Sequence, residues 1–231
     1  MGAGLASRSD WSPSIDSIGF IAAPLNECTE ELSKWRKSLF GGSQGVVVES
    51  GNWSLDEKMA KLDVLALDAT REIFTATRSP KWTAYFDNGI TGADPAPLGY
   101  FAELLQTTVV NVQYSPPSSD EDSRWGNCQV AIFYPGNRSR SIALAEDESG
   151  WIFEAWGDPE PWEEVDRYKR RNKVDRFSYE VLVDYCRNIG IDPFVPEFYE
   201  DASSLIDVTP PWKVSRLTRA EYAKRGWRVN G

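Results

Sequence analysis

Residues 129 to 157 read QVAIFYPGNRSRSIALAEDESGWIFEAWG, and they hold three short runs rich in β-branched, aromatic and other apolar residues. Pro135, Gly136 and Asn137 supply a turn between the first two runs. A fourth run, residues 108–117, comes shortly before them. Runs of this length, separated by turn residues, indicate consecutive strands of a meander. The middle of the chain therefore predicts neighbouring antiparallel strands.

The segments on the N-terminal side extend this pattern. Residues 71–77 and 81–88 are two more β-rich runs joined by Arg-Ser-Pro, which predicts a hairpin. Residues 15–24 and 44–50 are apolar runs typical of buried strands. Because strands and helices are mixed rather than strictly alternating, we predict an α+β fold with a mixed, largely antiparallel sheet flanked by about five or six helices.

Helix signals lie between and after these strands. Ser54 with Glu57, and Thr218 with Glu221, have the spacing of capping boxes. Residues 1–14 are small, polar and contain proline, so we predict a flexible N-terminal tail followed by a single α+β domain over 15–231. The Pro- and aromatic-rich residues 193–212 are predicted to be a connector. The six predicted helices begin at or near Thr29, Ser54, Asp94, Pro161, Ser178 and Thr218.

The charge balance excludes several partners. The formal net charge is −10 and the sequence contains no run of 18 apolar residues that could span a bilayer. Binding to phosphate backbones or anionic lipids needs a basic surface. We therefore predict a cytoplasmic protein with no nucleic-acid partner and no membrane partner. An acidic surface instead favours association with a basic protein.

Most catalytic chemistries lack the residues they need. The chain has no histidine, no phosphate-binding or dinucleotide-binding glycine motif, and three widely spaced cysteines without a CxxC pair. We predict buried free thiols, no metal site and no cofactor. Carboxylate chemistry is the one enzymatic alternative, with Asp87 and Asp94 as candidates for glycoside or ADP-ribose hydrolysis. Their context more often reflects a turn at Asp87-Asn88-Gly89 and a helix cap at Asp94.

Residues 145–176 separate their charges sharply, with nine acids followed by six bases within ten positions. One interpretation is a helix starting near Pro161, in which Glu163 pairs with Arg167 and Asp166 with Arg170. The other is a binding face in which acids surround exposed tryptophans. The candidate partner-binding residues are Glu146, Asp147, Glu148, Trp156, Asp158, Glu160, Trp162 and Glu163, extended by Asp120, Glu121 and Asp122 of the polar loop 115–127.

Two segments, WTAYFDNGITGADPAPLGYFAELL (82–105) and WIFEAWGDPEPWEEVDRYKRRNKVDRFSYEVLVDYCRNIGI (151–191), resemble a family of uncharacterised bacterial, mainly actinobacterial, proteins. In its size, acidity and lack of catalytic motifs the chain is also similar to immunity proteins of bacterial polymorphic toxin systems. The resemblance implies a non-enzymatic inhibitor that binds a cognate protein toxin with a basic cleft. A carboxylate-based hydrolase and a structural interaction module remain the alternatives.

Overall fold

The computed structural model describes Leu5 and residues 9–39, 45–90, 95–116 and 126–225. Its centre is a nine-stranded sheet in which every neighbouring pair is antiparallel. The strands lie in the order β2-β10-β4-β5-β1-β6-β7-β8-β9, and β3 pairs separately with β11. The strands are β1 (Ser17–Ile21), β2 (Val46–Asn52), β3 (Leu65–Ala66), β4 (Arg71–Thr77), β5 (Thr83–Asp87), β6 (Val109–Ser115), β7 (Asn127–Tyr134), β8 (Arg138–Asp147), β9 (Gly150–Trp156), β10 (Tyr199–Val208) and β11 (Arg216–Leu217).

Helices cover both faces of the sheet. The described helices are α1 (Leu25–Leu39), α2 (Leu55–Lys61), α3 (Pro95–Leu104), α4 (Tyr179–Asn188) and α5 (Arg219–Arg225). Alternate strand residues point to opposite faces: Ile73 belongs to the core cluster that includes α2 and α4, whereas Phe74 belongs to the cluster that includes α1 and α3. We call the face under α1 and α3 the outer face. The α+β fold class, with a largely antiparallel sheet and five described α-helices, is confirmed.

Two local predictions are confirmed in atomic detail. The Ser54 hydroxyl accepts a hydrogen bond from the Glu57 amide, and the Glu57 carboxylate accepts one from the Ser54 amide, which completes the capping box of α2. The same reciprocal bonds join Thr218 and Glu221 at the start of α5. Thr29 behaves differently, because α1 begins at Leu25 and the Thr29 hydroxyl donates to the Leu25 carbonyl from within the helix.

The helix predicted from Pro161 does not form. The segment instead contains two short 3₁₀ helices, Val165–Lys169 and Lys173–Asp175. The Glu164 amide donates to the Tyr185 hydroxyl, so a tertiary contact takes a donor that a helix would use. The predicted four-residue ion pairs are replaced by three-residue pairs, Glu164 with Arg167 and Asp166 with Lys169, as the tighter 3₁₀ turn requires.

Some described residues of the predicted N-terminal tail, and most of the predicted connector, belong to the folded domain. Leu5 and Trp11 are buried, and the Leu5 amide donates to the Phe194 carbonyl. The Arg219 guanidinium donates to the Trp11 and Ser12 carbonyls. These described residues of the predicted tail are therefore packed on the domain. The predicted connector 193–212 contains β10, which lies between β2 and β4 inside the sheet.

Candidate interaction face

The residues of the predicted acidic face lie at the two opposite ends of the β8–β9 hairpin. Glu146, Asp147 and Glu148 lie at the turn, where Asp147 pairs with Gly150. Trp156 lies at the other end, opposite Ser141. The two pairs are six residue steps apart along β9, which corresponds to about 20 Å at roughly 3.3 Å per residue. The two groups of acids therefore form separate parts of the surface rather than one patch.

The acids at the turn are partly engaged in local structure. The Asp147 carboxylate accepts hydrogen bonds from the Ser149 hydroxyl and amide, each at 2.7 Å, and these bonds lower the pKa of Asp147. Glu146 accepts a bond from the Gly126 amide at 3.1 Å. Glu148 is exposed. Only Glu148 of these three is an exposed side chain without a hydrogen bond in the described part of the chain.

Glu163 belongs to the interior rather than to the surface. Its side chain is fully buried, and Arg140, itself 5% exposed, binds both of its oxygens in a fork, with Nε 2.8 Å from Oε1. Tyr168 and the Glu160 amide donate to the same carboxylate. Burial alone would raise the pKa of Glu163, but these hydrogen bonds outweigh it and hold the pKa below its ordinary value. Glu163 therefore fastens residues 157–164 to the sheet.

Two further candidates support the same segment. The Tyr134 hydroxyl donates to Glu160, and Trp162 packs edge-on against Tyr185 with ring centroids 5.0 Å apart. Arg140 was missed at the sequence level, although a signal was present. It alternates with Ile142 and Leu144 on β8, so its side chain points into the same layer as theirs. A buried arginine at such a position requires a carboxylate partner.

The outer side of β8 and β9 has the character expected of a binding surface. Trp156 is 75% exposed, and Ile152 is 36% exposed on the same face of β9. The helices described on the outer face, α1 and α3, pack mainly on β1, β2, β4, β6, β7 and β10. We define the open face as the exposed or half-buried outer side chains of these two strands: Ser141, Ala143, Ala145, Ile152, Glu154 and Trp156.

Charge on and beside the open face is negative. Glu154 lies between Ile152 and Trp156, and the exposed Asp158 follows the strand. The two arginines of β8, Arg138 and Arg140, point to the opposite side of the sheet, because they alternate with the outward residues. An exposed indole with acids around it and small side chains beside it can accept a basic, complementary surface.

Asp87 has a structural role that the sequence predicted. Its Oδ1 accepts a hydrogen bond from the Gly89 amide at 2.8 Å, which fixes the turn after β5. The side chain is fully buried, and its Oδ2 lies 3.3 Å from the Tyr85 hydroxyl. Glu72, which the sequence did not single out, is opposite Asp87 on β4 and is bound by Arg36. Among the described residues, Asp87 therefore lies enclosed in the core of the domain.

Other predicted sites add little chemistry. Cys28, Cys128 and Cys186 are buried free thiols, as predicted, and burial raises the pKa of Cys28 to about 12. Within the described ranges, no group of three or more histidine, cysteine, aspartate or glutamate side chains could hold a metal ion. Asp94 and the loop acids Asp120, Glu121 and Asp122 lie outside the described residues.

Comparisons with protein-family models, curated proteins and solved structures find no match for this chain. In the part of the chain that the structure describes, no helix has the length and apolarity needed to cross a membrane.

Proposed function

We propose that this chain is a non-enzymatic, cytoplasmic immunity protein that binds and inhibits a cognate bacterial toxin. The observation that carries the proposal is the 75% exposed Trp156 on the open face. Burying an indole in a partner contributes strongly to affinity, and tryptophan is enriched among the residues that dominate interfaces. A monomer gains nothing from leaving so large an apolar side chain in water.

The charge of the surface supports a basic partner. Glu154, Asp158 and Glu148 are exposed acids along β9 and at its two ends, and the whole chain carries a net charge of −10. Toxins that act on nucleic acids or nucleotides need basic clefts to hold phosphate groups. An acidic inhibitor attracts such a cleft over long distances, and its aromatic anchor then determines how slowly the complex separates.

The proposed surface is narrower than the one inferred from sequence. It keeps Trp156 and Asp158 and adds Ile152 and Glu154. It leaves out Glu146, Asp147 and Glu148, which lie at the far end of the hairpin. It omits Glu163, which is buried, and Trp162 and Glu160, whose side chains are engaged with Tyr185 and Tyr134. The proposal needs no catalytic group, and the buried position of Asp87 makes hydrolysis the weaker alternative.

Charge reversal on and beside the open face tests the electrostatic part of the proposal. We expect Glu154→Lys combined with Asp158→Lys to slow association with the proposed cognate toxin by about tenfold at low salt, and to weaken the salt dependence of the rate. Stopped-flow measurements over a series of salt concentrations provide the readout.

The matched control is Asp184→Lys combined with Glu197→Lys. These exposed acids lie on α4 and before β10, and the double variant has the same net charge. We expect this control variant to change the association rate only slightly. Equal slowing by the two variants would mean that only total charge matters, and the open face would lose its assignment.

A further inference from the structure

Strand β2 offers a sheet edge on which another strand could pair. All seven of its residues pair with β10, and no described strand pairs with its other side. Gly45 accepts from the Thr209 amide, and the Trp53 amide donates to the Asp201 carbonyl. Because antiparallel bonding alternates, the odd-numbered residues between them bond to β10. The backbone N–H and C=O groups of Val46, Val48, Ser50 and Asn52 therefore point to the open edge.

A groove lies beside this edge on the outer face. It has a volume of about 930 Å³, with α1 as its wall and parts of β2 and β10 as its floor. The floor includes Val48, Ser50 and Ser204, so the residues with outward-directed backbone groups also place their side chains in the groove. A strand added to β2 would direct every second side chain into this space.

The charges on the wall indicate which peptide would fit. Lys34 and Lys37 line the groove against a single acid, Glu30, in a chain that is strongly acidic as a whole. Lys34 already pairs with Glu30 and Glu31, whereas Lys37 has no ion-pair partner within the described part of the chain. An acidic side chain on the ligand would therefore complement Lys37.

We propose that the groove between α1 and β2 binds an extended peptide segment of a partner protein, which carries an acidic residue and pairs with β2 as an additional strand. The sequence of β2, VVVESGN, contains none of the lysine or proline residues that commonly prevent strand addition at an edge. This site lies at the opposite edge of the sheet from the open face, so the inference is independent of the proposed function.

The test is a selection from a displayed library of random twelve-residue peptides against the full chain. Enriched peptides are then synthesised and titrated by fluorescence polarisation. We expect peptides with alternating apolar residues and at least one acid. Val48→Pro removes an outward N–H and should weaken binding about tenfold or more, because hydrogen bonds and the extended pairing are lost together. Lys37→Glu should weaken binding severalfold.

Val47→Thr is the control, because the Val47 amide points toward β10 and its side chain lies on the other face. The affinity of this variant for the selected peptides should stay within about twofold of the wild-type affinity. If Val48→Pro fails to fold, Ser50→Lys fills the groove without removing a backbone donor and should give the same loss. The proposal is overturned if no peptide is enriched, or if peptides bind the groove variants as tightly as Val47→Thr. It is also overturned if light scattering shows a dimer that Val48→Pro converts to a monomer, since the edge would then join two copies of this chain.

Discussion

Replacing Arg140 with methionine is expected to lower the free energy of unfolding by about 3–5 kcal/mol, because it leaves the buried Glu163 carboxylate without its base. The loss extends beyond one ion pair. Arg140 also donates to the Trp156 and Gly157 carbonyls, so the variant releases the end of β9 and the segment after it. Chemical denaturation monitored by tryptophan fluorescence measures the change.

The pH dependence provides a second readout of the same variant. The lowered pKa of Glu163 means that its contribution is present above the pKa of the unfolded carboxyl, near pH 4.3, and is lost as the pH falls through the folded pKa. Without Arg140, burial dominates and the pKa of Glu163 rises, so acid unfolding should begin at a higher pH.

Arg138→Met is the control for Arg140→Met. Arg138 is exposed and stacks on the Tyr134 ring, so its replacement should lower the free energy of unfolding by under about 1 kcal/mol. Equal losses of stability in the two variants would contradict the structural role given to the pair of Arg140 and Glu163.

Replacing Arg36 with methionine is the second large effect, with an expected loss of about 3–5 kcal/mol. Arg36 Nε lies 2.9 Å from Glu72, whose side chain is fully buried. Asp87 lies opposite Glu72, and the Tyr85 hydroxyl lies 2.9 Å from Glu72 and 3.3 Å from Asp87. The variant therefore leaves the Glu72 carboxylate without its base, next to the buried Asp87. Thermal unfolding followed by circular dichroism provides the measurement.

The double variant Arg36→Met with Glu72→Gln separates charge from packing. Removing the uncompensated charge should recover part of the lost stability. Lys34→Met on the same helix is the control, because its ion pairs are exposed to solvent and should change the stability little. A double variant less stable than Arg36→Met alone would show that the guanidinium stabilises the fold through packing instead.

The sequence predicts the meander and the capped helices because their signals are local. Strands β6 to β9 follow one another along the chain and pair in that order, and the capping boxes span three residues. Strand β10 was missed because its signal depends on distant partners. Its polar Ser203 and Ser204 bond to Thr75 and Ser50, each more than 120 residues away, and these contacts allow hydroxyls in the sheet interior.

The contacts of the candidate site could not be predicted either, because they also join residues that are far apart in the sequence. A four-residue spacing rule joined Glu163 to Arg167, whereas the structure joins Glu163 to Arg140, which lies 23 residues earlier. Trp151, Trp156 and Trp162 look equivalent in the sequence, yet only Trp156 is largely exposed, since the other two pack against the core. Strand alternation could separate Trp151 from Trp156 only once the inward face of β9 was known. Trp156 could therefore be identified as the exposed tryptophan only from the structure.

The most direct measurement of the proposed function is the dissociation constant between this chain and its proposed cognate toxin, compared for Trp156→Ala and Trp212→Ala. Both indoles are more than half exposed, but Trp212 lies after β10, away from the open face. We expect Trp156→Ala to raise the dissociation constant by about 30-fold or more, as for an interface anchor, and to abolish growth protection when the toxin is limiting. Trp212→Ala should leave both unchanged. Tight binding and full protection by Trp156→Ala, in a protein that unfolds at the wild-type temperature, would contradict the assignment of the open face as the inhibitory surface.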